Sequence, residues 1–356
     1  MKRKMSRKQK ILAAVCVLLL LVLLAGVAAA VYINEKMDLL HRPAAGSQIS
    51  QSASENPDPE SEMLSIGGSV EDIDLMEDGG SIEPPPGDVN VHPEITNILL
   101  IGSDEREGEE PDEARADSIM MVSIDSRENT WKLVSFERGV GVSIPHVGDD
   151  WLTHTYAYGG AELLMKTLQE YFKVDVSRYV KIDFSIFETA ITDIGGVVVE
   201  MSQAEADFMN DIAGEQKWSA GPARLDGPTA LVYARMRHLD SDWERVERQR
   251  EVVQAAADQV ATLSLPKLDL ILNKLLPMVE TNLTNGELWQ LLFKMPVLLG
   301  TDASQLTVPD REAVWSVPSQ IEESLIGCDF AAEAERLDRF LLGEWEEGRS
   351  GNGEGM

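Results

Sequence analysis

Six Lys or Arg residues crowd Met1 to Lys10, and the next stretch, Ile11 to Ile33, carries no charged residue at all. An uncharged apolar run of that length is enough to cross the ~30 Å hydrocarbon layer of a bilayer as one helix. It constrains the chain more than any other feature. The basic flank is expected to stay on the cytoplasmic side, which puts everything after Glu35 outside. A cleavable leader is the alternative, with Ala28-Ala29-Ala30 as its small-residue cleavage site, but its apolar core exceeds the ~7–15 residues usual for one.

From Pro43 to about Glu94 the sequence is rich in Ser, Gly, Pro, Glu and Asp and contains no Lys or Arg. Such a stretch buries too little apolar surface to offset its ordering entropy, so a disordered, self-repelling tether is expected. It absorbs much of the formal charge of −30 in a chain of 356 residues, a balance that argues against nucleic acid as a partner. Cys16 and Cys328, the two cysteines, lie too far apart in character and sequence to suggest a disulfide framework.

The folded part is expected to begin near Ile95. Asn97 to Gly102, Ser118 to Ile124 and Trp131 to Phe136 are short continuous apolar runs, the pattern of strands buried on both faces. Helical spacing follows over Ala161 to Phe172 and Phe184 to Ile194, then a strand at Val197 to Met201 and helices over Asp242 to Leu263, Leu265 to Glu280, Gly286 to Leu299 and Phe330 to Leu342. The alternation predicts an α/β fold, a three-layer α/β/α domain around a central mixed sheet, preceded by one transmembrane helix and a disordered linker. The expected units are a basic cytoplasmic tail (1–10), the anchor (11–33), the acidic linker (34–94), the main domain (95–264), a C-terminal helical extension (265–343) and a polar tail (344–356).

Four segments carry charge that a core does not need. Gly102-Ser103-Asp104-Glu105-Arg106 ends the first predicted strand, and Arg115-Ala116-Asp117-Ser118 begins the second. Strand ends of α/β sheets are where loops present ligand-binding side chains, so Asp104 and Asp117 can converge as a hard oxygen site for Mg²⁺, with Mn²⁺ as the alternative. Arg138 follows the third strand. The densest group is Tyr233-Ala234-Arg235-Met236-Arg237-His238-Leu239-Asp240-Ser241-Asp242, with Arg245, Arg248, Gln249 and Arg250 behind it. Arg235 and Arg237 act together only if the chain leaves the helix there, whereas Asp242, Arg245 and Gln249 share one helical face. Local arginines in an acidic chain call for a local anion, and a guanidinium fork suits phosphate. The plainer alternatives are a solvated, ion-paired helix face for Arg248 and Arg250, turn-capping for the two aspartates, and incidental polar roles for His154 and His238.

The order of these pieces resembles the LytR-CpsA-Psr family. The matching segments are Asn97 to Asp104 with Arg106, Arg115 to Val122, Tyr156-Ala157-Tyr158-Gly159-Gly160, Tyr179 to Phe184, Leu225-Asp226-Gly227, Tyr233 to Arg237, Asp240-Ser241-Asp242 and Arg248-Gln249-Arg250. The resemblance implies an apolar cleft for a polyprenyl chain, with Arg115, Arg138, Arg235 and Arg237 holding the lipid pyrophosphate, Arg106, Asp242, Arg245 and Gln249 completing the shell, and Asp104 and Asp117 organising Mg²⁺. The implied activity is transfer of an anionic glycopolymer, of teichoic acid or capsule type, from a polyprenyl-pyrophosphate carrier to peptidoglycan, on the outer face of the cell membrane. Two departures stand out: Gly139 where the family usually has Asp after the arginine, and Trp151-Leu152-Thr153 where a Lys-Ile/Leu-Asn run is common. They motivate one alternative, a lipid-pyrophosphate sensor with weakened catalysis; a second is a pyrophosphate hydrolase in which water replaces the sugar acceptor.

Overall fold

The computed structural model describes residues 31–43, 82–104, 115–236, 242–298, 303–318 and 324–344, with the side chains of 242 and 295–298 left aside. A short helix, α1, covers residues 31–37. Three antiparallel strands follow, β1 (Ile95–Ser103), β2 (Ala116–Asp125) and β3 (Thr130–Phe136). After the hairpin β4 (Gly141–Ile144) and β5 (Gly148–Trp151), helix α2 (His154–Phe172) carries the chain across to β6 (Tyr179–Asp183), which lies parallel to β1. Then come α3 (Phe184–Ile194), β7 (Val197–Met201), α4 (Gln203–Ala213), β8 (Gly221–Leu225), α5 (Gly227–Ala234), α6 (Asp242–Ala261), α7 (Leu265–Leu275), β9 (Glu280–Thr281) and α8 (Asn285–Leu298). The chain closes with β10 (Ser304–Val308), β11 (Val314–Val317), β12 (Leu325–Cys328) and α9 (Phe330–Leu341). The central sheet is mixed, in the order β10-β3-β2-β1-β6-β9.

Both faces of that sheet are covered, which explains why its strands read as unbroken apolar runs. Leu99, Ile101 and Met121 sit in one core with Leu164 and Leu168 of α2 and Leu337 of α9. The alternate residues Met120, Ile124 and Leu133 form another with Val253 and Ala257 of α6. The period-2 geometry of the strands sends neighbours to opposite layers, and each fully buried Leu or Met contributes about 1.5–3 kcal/mol. A third cluster joins α3, α5 and the β7–β8 hairpin around Ile191, Leu225 and Tyr233.

Several expectations need correction. The strand at Val197 to Met201 does not enter the central sheet but pairs only with β8. The C-terminal region is not a helical extension throughout: β10 runs parallel to β3 at the edge of the main sheet, and Leu306 and Val308 lie in the main core. A strand this short is specified by its distant partner more than by its own pattern. The linker expected over 34–94 is ordered at both ends, where Met37 and Leu40 are buried and Ile82 packs on the core. Its middle, most of the expected anchor (residues 11–30), the basic tail and the polar tail lie outside the described residues. Among the described residues no helix is long and apolar enough to cross a membrane.

Candidate functional site at the strand ends

The carboxyl ends of β1 and β6 lie side by side, with Ser103 opposite Asp183, and the candidate residues collect around that edge. Asp104 follows β1 directly. Its N–H donates to the Arg115 carbonyl at 3.3 Å, and the Arg115 N–H returns a bond to Asp104 Oδ1 at 2.7 Å. These reciprocal bonds tie the base of the β1–β2 loop and aim the Asp104 carboxylate toward β2.

The β1–β2 pairing slips at this place: Gly102 faces Ser118 and Ser103 faces Ala116, leaving Asp117 as the extra residue of a bulge. A bulge re-aims the side chain it carries. Asp117 Oδ1 accepts a bond from Arg138 Nη1 at 3.1 Å, with the two side chains only 15% and 13% exposed. Arg138, just past β3, is held through its carbonyl by the Thr153 N–H at 3.1 Å. Thr153 also donates through Oγ1 to the Ala116 carbonyl at 2.8 Å, so the start of α2 clamps both strands that carry the site.

Burial, and after it the charge of Asp117, holds the Asp104 carboxyl above the usual carboxylate range, against the pull of the Arg115 N–H. Two half-buried carboxylates that repel each other are a donor set that a hard cation would favour. Among the described residues no group of three or more His, Cys, Asp or Glu is arranged around a metal position. A Mg²⁺ ion fits such a pair, because it commonly takes one or two carboxylates and completes its shell with phosphate oxygens and water.

Arg235 reaches the same edge by another route. It ends α5, and its guanidinium lies over the Phe184 ring, 4.3 Å from the centroid. Phe184 opens α3 immediately after Asp183, the residue paired with Ser103 and the cap that accepts the Ile186 N–H. Arg235 itself is exposed. Arg245 is buried and Gln249 half-buried one turn further along α6. Arg106 and Arg237 lie outside the described residues, as do His238 and the side chain of Asp242.

Arg248 and Arg250 belong to the scaffold. Arg248, 4% exposed, pairs with Glu205 of α4 at 3.1 Å and donates to the Met236 carbonyl at 2.7 Å. Arg250 donates to Gln305 at 2.9 Å and to Thr307 at 2.5 Å, fastening α6 to β10. His154 bonds Asp150 at 2.7 Å. Gly139 sits beneath β12, its carbonyl accepting the Ile326 N–H at 2.9 Å. Position 139 carries no carboxylate, and Asp117 braces Arg138.

Two contributors were quoted in the sequence only as part of the matching segment Tyr179 to Phe184, with no role of their own. Phe184 is the platform under Arg235, and Lys181, within β6, pairs with Glu280 at 3.4 Å while its ammonium lies 6.0 Å from the Tyr156 ring centroid. A lysine inside a strand, followed by an aromatic at the strand's end, was the available signal. Two cavities, of about 460 and 350 Å³, open elsewhere, beside Glu200 and Glu251 and beside Thr192 and Arg224, and neither is lined by the strand-end residues. β6 nevertheless stays half-buried from Val180 to Asp183 although strands flank it on both sides. Leu100, Phe187 and Val232 are half-buried as well.

A family model described as the LytR_cpsA_psr family matches residues 77–321. The polyisoprenyl-teichoic acid–peptidoglycan teichoic acid transferase TagT of Bacillus subtilis strain 168 is 34% identical over 221 residues, covering 61% of this chain and 69% of TagT. TagU of Oceanobacillus iheyensis, a transferase of the same name, is 34% identical over 208 residues, 56% of this chain and 62% of TagU. The regulatory protein MsrR of Staphylococcus aureus strain COL is 29% identical over 249 residues, 69% of this chain and 74% of MsrR. The solved structure of TagT bound to LIIa-WTA superposes with a TM-score of 0.57 at 26% identity, over 71% of this chain and 91% of that one.

Proposed function

The chain belongs to the LytR-CpsA-Psr family, and from that premise we propose that it is a membrane-anchored phosphotransferase moving an anionic glycopolymer from a polyprenyl-pyrophosphate carrier to peptidoglycan outside the cell. The observation that carries the reading is the convergence of Asp104, Arg115, Asp117 and Arg138 at one strand edge, with Arg235 reaching that edge on its aromatic platform. The curated relatives TagT and TagU are named as teichoic acid transferases, which supports glycopolymer as the cargo.

In the proposed reaction a peptidoglycan hydroxyl attacks the sugar-linked phosphorus. A new P–O bond forms to the acceptor, the P–O bond to the bridging oxygen breaks, and polyprenyl phosphate leaves. Such transfer depends on alignment and charge stabilisation more than on a covalent nucleophile. Arg138, held by Asp117 and by the backbone of Thr153, presents a guanidinium of fixed orientation to the phosphate oxygens. Arg235, lying over Phe184, would supply a second. Mg²⁺ held by Asp104 and Asp117 would neutralise pyrophosphate charge. The acceptor's hydroxyl proton would pass to a carboxylate oxygen at this edge, of Asp104 or Asp117, that the ion leaves free. The half-buried apolar residues of β6 and α3 are suited to complete their burial against a prenyl chain.

The test is to incubate the full chain with a synthetic polyprenyl-pyrophosphate glycan, Mg²⁺ and peptidoglycan oligomers. Glycan covalently joined to the oligomer is the expected product. Release of free phosphoglycan would reassign the protein to hydrolysis, and tight retention without turnover would reassign it to sensing.

A further inference from the structure

The end of the molecule around α7 and α8 exposes apolar side chains that no described segment covers: Leu265 is 81% exposed, Leu270 70% and Phe293 75%. Helix α1 lies between these two helices, and its contacts fix the direction in which it runs. Tyr32 donates to Asp269 and Lys36 to Asn273, so α1 ascends alongside α7 in the same direction. Trp289 donates to Asn34 at 3.0 Å and Asn285 to Asp38 at 2.7 Å, so α1 runs opposite to α8.

Both registers lead to one conclusion. Going backward from Tyr32 leads toward the amino end of α7, where Leu265 stands, and toward the carboxyl half of α8, where Phe293 stacks against Trp289 with ring centroids 5.6 Å apart. At ~1.5 Å per helical residue, Leu265 and Phe293 lie about one turn beyond the Tyr32 and Asn34 contacts. That is the side on which the uncharged run Ile11 to Ile33 enters α1. Leu265 and Phe293 therefore project where an anchored chain would leave the bilayer.

Charge agrees with this placement. Residues 265–298 carry Lys267, Lys274 and Lys294 against Asp269, Glu280 and Glu287, and so are neutral in a chain of net charge −30. A neutral surface with projecting Leu and Phe approaches an anionic lipid face without the repulsion that the rest of the protein would meet. An amphipathic helical surface of this kind settles about 5–10 Å into the headgroup boundary.

We propose that the α7–α8 end, centred on Leu265 and Phe293 and fastened by α1, rests in the interface of the same lipid bilayer that holds the N-terminal anchor. The inference relies on the anchoring part of the proposed function and is independent of the chemistry. It gives the strand-end site a fixed standing relative to the membrane, where a polyprenyl substrate is presented.

The experiment uses the full chain in phosphatidylglycerol–phosphatidylcholine vesicles. Cys16→Ser and Cys328→Ala remove the native thiols, and Leu265→Cys, Phe293→Cys or, as a control on the β4–β5 turn, Val147→Cys takes an environment-sensitive fluorophore. Flotation of the vesicles reports anchoring separately. The expected result is co-flotation, blue-shifted emission at 265 and 293, and loss of that emission with lipids bearing a doxyl group near the headgroup, with no change at 147. Co-flotation with 265 and 293 as water-exposed as 147 overturns the proposal and leaves the anchor standing. Failure to float overturns both. A blue shift that doxyl lipids do not quench, but that disappears when labelled chains are diluted with unlabelled ones, overturns it in favour of contact between two copies.

Discussion

Two sets of arginines look alike in the sequence and behave differently in the fold. Arg138 and Arg235 stand at the ends of secondary-structure elements: one is bonded to a carboxylate on a bulge, and the other lies exposed across an aromatic ring. Arg248 and Arg250 stand in the middle of a helix with 4% and 6% of their surface exposed, engaged by Glu205, Met236, Gln305 and Thr307. Arg235, exposed at the end of its helix, is open to an incoming phosphate, and Arg138, though only 13% exposed, stands at the rim beside the half-buried Asp117. A guanidinium inside a helix packed on both sides has been used to join elements. Position relative to element ends therefore separates the cations proposed to bind ligand from those that join elements, which their clustering in the sequence does not.

The comparison breaks most visibly at Arg235. Replacing it by Ala should lower turnover about 10²–10³-fold, the usual cost of one preorganised charge-stabilising donor, with the thermal midpoint unchanged. Steady-state transfer kinetics alongside calorimetry would measure both. A matching fall in the midpoint would move Arg235 into the structural set. For Arg248→Ala the order of effects reverses: unfolding in urea should show a loss of about 2–3 kcal/mol, because a nearly buried charged hydrogen-bond pair is left incomplete. Turnover should fall as well, since Arg248 holds the Met236 carbonyl and thereby the turn that carries Arg235. Unchanged stability with lost activity would show that Arg248 meets substrate.

Arg250→Ala should cost less, about 1–2 kcal/mol, because its partners are the neutral side chains of Gln305 and Thr307 and neither is left with a buried charge. Burial lowers the proton affinity of this guanidinium, against the pull of Glu247. Turnover should be unaffected, and a shift in KM for the lipid carrier would contradict the scaffold role.

The sequence made one half of this contrast readable. Leu99, Ile101, Met121 and Leu133 announce strands buried on both faces, and Asp104, Asp117 and Arg138 are conspicuous because they interrupt such runs at their ends. What the sequence could not show is set by pairing over long distances. Phe184 becomes a platform only because β6 aligns Asp183 with Ser103, some eighty positions earlier. β10 joins the sheet because Leu306 and Val308 find β3 across about 170 positions. Helix α1 straddles the expected boundary between anchor and linker at Ile33, and polar bonds of Tyr32, Asn34 and Lys36 hold it as much as Met37 and Leu40 do. Arg248 and Arg250 were ambiguous for the same reason: their partners lie on α4 and β10, which no local pattern connects to α6.

The smallest effect gives the sharpest test. Phe184→Leu keeps an apolar side chain at the first turn of α3 and removes only the π face beneath Arg235. A cation–π contact at an exposed site is worth about 0.5–1 kcal/mol, so kcat/KM should fall about two- to fivefold with stability nearly unchanged. If the ring serves to position Arg235, the loss should disappear in the Arg235→Ala background, because the platform then has nothing to hold. A Phe184→Leu effect of equal size in both backgrounds would mean that the ring contacts the substrate directly, and that Arg235 is oriented by the end of α5 alone.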